Sequence, residues 1–205
     1  MRKVDWDSIP HLVHCLLRNA ALHHYTWWGR LAAHWWGIQL GESSTFQGHI
    51  RLWRHPGSQI TIGKNCCFRA STNRPCFIQT LSEKATVTIG AGSGLNGVYV
   101  GCGKRIEIGR NVKCGADTTL WDTDFHPEDP RSGSDEPVII GDNVWLGVNV
   151  TVLKGVIIGD NTVVGPGSLV MRSLPSGVIA MGVPARAVKK LDASCLEAMQ
   201  SLEQK

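Results

Sequence analysis

Along VIIGDNVWLGVNVTVLKGVIIGDNTVVGPGSLV the apolar positions fall into two columns with a step of six. One column runs Val138, Val144, Val150, Val156, Thr162, Ser168, and beside it run Ile140, Leu146, Val152, Ile158, Val164, Val170. Glycine follows the second column at 141, 147, 159 and 165. An α-helix turns about 100° per residue, so six residues carry the next apolar position about 120° off its stripe, and no amphipathic helix holds this period. In an extended chain the two apolar residues of each hexad point to one side, and the glycine and small polar residues after them make a corner. Three hexads then close one coil, successive coils stack in parallel, and the columns fill the interior. Each buried aliphatic side chain contributes about 1.5–3 kcal/mol, and no single coil can bury its own column.

The columns extend backwards with slips of register that read as corner loops. Ile106, Val112 and Thr118 pair with Ile108, Cys114 and Leu120; earlier come Val87/Ile89, Ile60/Ile62 with Cys66/Phe68, and Ile38/Leu40 with Ile50/Leu52. The pattern predicts about six coils between roughly residues 38 and 173. Between 120 and 138 the columns fall out of step by two, so WDTDFHPEDPRSGSDEP must leave the coil as a protruding loop at about 122–137. Residues 6 to 36 change period: Ile9, Val13, Leu16, Ala20, His24, Trp27/Trp28, Leu31 and Trp35 recur at three or four, which predicts an amphipathic helix. Such a helix would cover the open end of a solenoid, where core and backbone are exposed. Trp27, Trp28, Trp35 and Trp36, with Arg18 and Arg30, also suit peripheral contact with a membrane surface. VIAMGVPARAVKKL reads as a last strand and turn, and LDASCLEAMQSLEQK as a short amphipathic helix. The predicted organisation is an N-terminal helical cap at 1–37, an all-β solenoid at 38–190 and a C-terminal helical tail at 191–205.

Composition narrows the function classes. With 205 residues and 42% hydrophobic content, the chain can bury one sizeable core, and its 23 glycines between valines and isoleucines fit short strands and tight corners. The net charge of +4 is mild and its cations are scattered, which argues against a nucleic-acid partner and leaves small anions open. The seven cysteines form no CxxC pair and no apolar leader with a small-residue cleavage site precedes the repeat, so a reducing cytoplasm is expected. No apolar run approaches the roughly 18 residues that span a bilayer. His49 and His55 lie far upstream of His126 with no second ligand close by, so no metal site is expected. Cys66 and Cys114 stand in the aliphatic columns and read as small buried side chains.

PVIIGDNVWLGVNVTVLKGVIIGDNTVVGPGSLVMRSLPSGVIAMGVPARAVKK and the loop motif DTDFHP resemble the hexapeptide-repeat acyltransferases, in particular the sugar O-acetyltransferases that include galactoside, maltose and polysaccharide acetyltransferases. The resemblance covers roughly residues 38 to 190. It implies a left-handed parallel β-helix, an exception to the right-handed crossover rule. It also implies a homotrimer, with acetyl-CoA lying between neighbouring subunits and its thioester beside the loop histidine. The positions that match the family's CoA contacts are Gly147, Val148, Gly165, Pro166, Met171, Arg172, Arg186 and Lys189, with Trp145 as a wall of the groove. Backbone amides would grip the pantetheine and cations would meet the phosphates. Val148 and Pro166 depart from the serine or alanine more familiar there, and Pro166 brings no N–H. For a sugar or glycan acceptor the matching candidates are Asn96, Asp122 and Arg131.

Moving an acetyl group from a thioester to a hydroxyl needs a base to take the hydroxyl proton as the oxygen attacks, a task suited to imidazole. His126 is the expected general base. Residues two apart on an extended segment face the same side, so Asp124 or Asp122 could orient its ring, and Asp124 is the first choice. Backbone N–H groups near Gly147, or an amide of a neighbouring subunit, would hold the oxyanion. The expected activity is acetyl-CoA-dependent O-acetylation of a sugar or polysaccharide precursor. N-acetylation of an amine, or a non-catalytic scaffold, are the alternatives.

Overall fold

The computed structural model describes residues 11–71, 73–126, 128–192 and 194–195, with side chains from residue 20 onward. The chain winds as a left-handed parallel β-helix with three flat sheets. The first sheet stacks Gln39–Leu40, Gln59–Ile62, Thr86–Ile89, Arg105–Ile108, Val138–Ile140 and Ile157–Ile158. The second runs from Thr45–Gln47 to Val178–Gly182, and the third from Ile50–Trp53 to Leu169–Val170. Within the repeat, partners lie eighteen residues apart, as Ile140 with Ile158, Leu146 with Val164 and Val152 with Val170. Three hexads therefore make one coil, as the period requires.

Every residue of the two columns from Val138 to Val170 is buried, the polar Thr162 and Ser168 included. Cys66 and Cys114 are buried as read, and burial pushes the Cys114 thiol up to about 12. The columns also hold Phe46, Ile78, Leu95 and Val100, which the period-six search passed over because loops of unequal length separate them. Buried hydroxyls stitch coil to coil: Ser44 Oγ donates to the Gly63 carbonyl (2.9 Å) and accepts from Cys66 N (3.1 Å), and Ser93 does the same between Gly109 and Val112. A small polar residue in the core column is thus satisfied by a neighbouring corner rather than left orphaned.

Four of the six described corners between the first and second sheets use the IGxN motif. Asn65, Asn111, Asn143 and Asn161 take left-handed φ values of 58°, 55°, 59° and 56°, which asparagine tolerates better than most residues. Their amides stack between coils, Asn111 to Asn143 at 3.3 Å and Asn143 to Asn161 at 3.1 Å. The preceding glycine is required by the stack: a Cβ on Gly141 would lie 2.8 Å from Asp160 N.

The helix His11–Trp35 packs on the strands of the first coil, with Ala33 buried and Thr26 bonded to the backbone of Phe46. At its far end Arg54 Nε donates to the Trp36 carbonyl (2.5 Å) and Nη1 to that of Ser58 (2.6 Å), fixing helix to coil. The other end closes with an antiparallel hairpin, Val178–Gly182 against Ala185–Lys190. The expected tail helix falls almost wholly outside the described residues, of which only Ser194 and Cys195 are helical there.

Candidate active site

The chain leaves the third sheet after Trp121 and re-enters the first at Val138, so the breach in the repeat is the corner 122–137. Its root is Asp122, fully buried, whose carboxylate accepts from Gly103 N (2.6 Å), Lys104 N (2.8 Å) and Arg105 N (2.6 Å). The buried Cys102 thiol also donates to it (3.4 Å), and burial, then the adjacent negative charge, push that thiol well above its ordinary range. Asp122 was a candidate for substrate binding, yet its oxygens are occupied by the corner one coil away.

Beyond Asp122 the chain reverses at Phe125, whose φ is +63°. The ring of Phe125 sits edge-on to Trp121 (5.1 Å between centroids), and Trp121 to Tyr99 (6.2 Å). Gly101 makes the room: a Cβ there would lie 2.8 Å from Phe125 Cζ. Trp121 Nε1 is buried without a hydrogen-bond partner among the described residues.

The turn at Phe125 carries His126 outward, its side chain 71% exposed. The ring borders an open hollow of about 300 Å³ lined by Thr123, Asp124, Ser132, Gly133 and Asp135 among others. A second hollow of about 400 Å³ shares Thr123 and Asp124 and is walled by Trp121, Phe125, Lys154 and Met171. The alternation argument brings neither aspartate to the imidazole, because the left-handed residue breaks the extended geometry on which it rests. Asp124 instead pairs with Lys154 across the corner and accepts from Gly133 N (3.2 Å), and the Lys154 ammonium holds its carboxyl below the usual range. The carboxylate near His126 Nδ1 is that of Glu128, at 3.4 Å. Arg131, a candidate for a charged acceptor, is forked onto Asp129, with Nε to Oδ1 at 2.9 Å and Nη2 to Oδ2 at 2.6 Å.

The remaining candidates divide between two edges of the prism. Met171 and Arg172 are exposed just after the third sheet, on the edge that carries the loop. Asn96, Gly147, Val148, Gly165 and Pro166 lie at the edge between the second and third sheets, and Trp145 is exposed on the second. Arg186 and Lys189 are exposed on the closing hairpin. The amides of Gly147 and Gly165 donate to the carbonyls of Val164 and Ala180, both at 2.8 Å, so these N–H groups serve the coil ladder.

The sequence reading passed over Lys154 and Glu128. Glu128 was open to the same two-residue argument applied to Asp124; Lys154 carries no signal in LKG that would mark it.

Residues 137–172 match the family model described as bacterial transferase hexapeptide (six repeats). A galactoside O-acetyltransferase of Escherichia coli is 32% identical over 140 residues, 66% of this chain and 56% of that protein. One of Lactococcus lactis is 42% identical over 94 residues, 43% of this chain and 45% of the relative. An Escherichia coli protein that carries the provisional name of lipopolysaccharide biosynthesis O-acetyl transferase is 50% identical over 64 residues, 31% of this chain and 33% of its own. The chain therefore spans about a third to a little over half of these relatives. Among solved structures, an N-acyltransferase from Bacillus cereus, AntD, determined as a point mutant with dTDP and coenzyme A, superposes with a TM-score of 0.60 at 21% identity, over 81% of this chain and 90% of that one. This is a left-handed β-helical chain that carries the bacterial transferase hexapeptide repeat and has galactoside O-acetyltransferases among its relatives.

Proposed function

We propose that the chain is an acetyl-CoA-dependent O-acetyltransferase that acylates a hydroxyl of a sugar or polysaccharide precursor, with His126 as general base. The observation that carries this reading is the exposed imidazole beside an open polar hollow, held on the long corner that interrupts the hexad wall. Donor and acceptor bind together and react directly. The imidazole takes the hydroxyl proton as the oxygen attacks the thioester carbonyl, the C–O bond forms, the C–S bond breaks, and the proton passes to the departing thiolate. Such a base contributes about 10²–10⁴-fold. Glu128, rather than Asp124, has the reach to orient the ring, while the Asp124–Lys154 pair holds the loop root that presents it.

The reading includes assembly as a homotrimer, which the same arrangement supports. His126 and the Gly147–Pro166 edge lie on different edges of one prism, so a groove containing both requires a second chain. Large apolar side chains are exposed on two different sheets, Ile157 on the first and Trp145 on the second, which suits the unlike surfaces of a cyclic interface. In that groove Val148, Pro166, Met171 and Trp145 would flank the pantetheine, and Arg172, Arg186 and Lys189 would meet the phosphates. Asn96 would face the acceptor. A cytoplasmic location, where acetyl-CoA is made and thiols stay reduced, completes the proposal.

An amine acceptor is the second reading, favoured by the fold shared with AntD. Thiol release from acetyl-CoA, measured with hydroxyl sugars and with amino sugars, separates the two. Wild type should release thiol with a hydroxyl acceptor, and His126→Ala should lose at least roughly 100-fold with its melting temperature unchanged. Equal release from both proteins would remove the mechanism.

A further inference from the structure

The capping helix has two faces, and only one is used by the fold. On the docked face Thr26 Oγ1 donates to the Phe46 carbonyl (3.2 Å) and accepts from its N–H (3.1 Å), and Ala33 is buried. Gly29 lies directly on the Phe46 ring, where a Cβ would come within 2.5 Å. The outward face exposes His24, Trp27, Trp28, Leu31 and Trp35, spaced at three and four residues and so aligned in one stripe. Trp27 is 59% exposed, Trp28 52%, Leu31 42% and Trp35 84%. The Trp27 and Trp28 rings meet edge to face at 4.9 Å, and His24 stands 6.3 Å from Trp28, so the side chains form one patch. Capping the solenoid explains the inner face and leaves this one without a partner among the described residues.

Charge indicates what covers it. From residue 8 to residue 41 the sequence holds no aspartate or glutamate, while Arg18, Arg30 and the histidines at 11, 14, 23, 24 and 34 fall in the helix. Two copies docked helix to helix would bring no carboxylate to either, whereas an anionic surface complements Arg18 and Arg30, of which Arg30 stays exposed while donating to the Ser44 carbonyl (3.4 Å). Tryptophan, with an apolar body and one N–H, is the residue type that settles at the headgroup level of a bilayer. No described helix is long and apolar enough to cross a membrane, so contact would be along the surface.

We propose that the cap is a membrane-docking face: the helix lies flat on an anionic phospholipid surface, with Trp27, Trp28, Leu31 and Trp35 at the headgroup boundary. The proposal is independent of the acetyl-transfer reading. The test mixes the full chain with vesicles of phosphatidylcholine alone and of phosphatidylcholine with phosphatidylglycerol, and follows co-sedimentation and the blue shift of tryptophan emission. Wild type should bind the anionic vesicles, and Trp27→Ala/Trp28→Ala/Trp35→Ala should bind roughly ten-fold more weakly or worse, with its circular dichroism and solution mass unchanged. Should that triple variant fold poorly, Trp35→Ser alone, which alters the most exposed ring, should weaken binding about three-fold. Failure of wild type to sediment with anionic vesicles, or equal sedimentation by a folded variant, would overturn the proposal. A drop in solution mass of the variant without lipid would overturn it too, assigning the face to a second copy.

Discussion

Replacing Asp122 with alanine distinguishes a structural carboxylate from a substrate contact. The wild-type group satisfies three backbone N–H donors of the neighbouring corner at 2.6, 2.8 and 2.6 Å, and one of them, on Gly103, is buried. An unsatisfied buried donor costs about 1–3 kcal/mol, and the amides of the more exposed Lys104 and Arg105 would recover part of theirs from water, so the total is about 3–5 kcal/mol. At about 2–4 °C per kcal/mol for a chain of this size, the melting temperature should fall by on the order of 10 °C. Asp122→Asn keeps one acceptor oxygen but turns an NH₂ toward donors, and should fall between wild type and alanine. Scanning calorimetry with a parallel thiol-release assay reads both effects. A melting temperature within about 2 °C of wild type, together with lost activity, would show that Asp122 meets the acceptor and that its hydrogen bonds add little.

Other expectations concern the loop. Gly101→Ala would put a methyl group 2.8 Å from Phe125 and 3.0 Å from Tyr99, so it should cost about 1–3 kcal/mol by overpacking and lower activity by shifting the turn before His126. Adding Phe125→Leu should restore stability, and failure of that rescue would refute the packing account. The depressed pKa of Asp124 makes its pairing with Lys154 a contribution present above the ordinary carboxyl value of 3.8 and lost as pH falls through the lower folded value. With Asp124 substantially exposed, the pair is worth at most about 1 kcal/mol. Hydrogen exchange at Gly133 N should therefore quicken, beyond its intrinsic pH dependence, only below about pH 4, and Lys154→Ala should show the faster exchange at every pH. Equal protection in that variant at neutral pH would remove Lys154 as the anchor.

The coil was legible because its cause is local. A hexad needs only alternation and a corner, so Val138 to Val170 announced buried columns and the breach after Leu120 announced the loop. Phe46, Ile78 and Leu95 belong to the same columns but were missed, because unequal corners erase the period while stacking restores the alignment in space. In the loop, DTDFHP singles out His126 as the candidate base, whereas the groups around it were not legible. Asp124 was matched to it by alternation, and the left-handed φ of Phe125 cancelled that alternation.

The sequence by itself determined a triangular solenoid, a helix at its start and an imidazole on a long corner, because each follows from a repeat or a break in it. Tertiary structure decided which carboxylate does what: Asp122 reaches the corner of the coil below, Asp124 reaches Lys154 thirty residues on, and Glu128 is left near His126. Those partners are distant in sequence and adjacent only through the stacking of coils. Stacking also spends the Gly147 and Gly165 amides on the ladder and sets the candidate residues on separate edges, which no spacing along the chain could have disclosed.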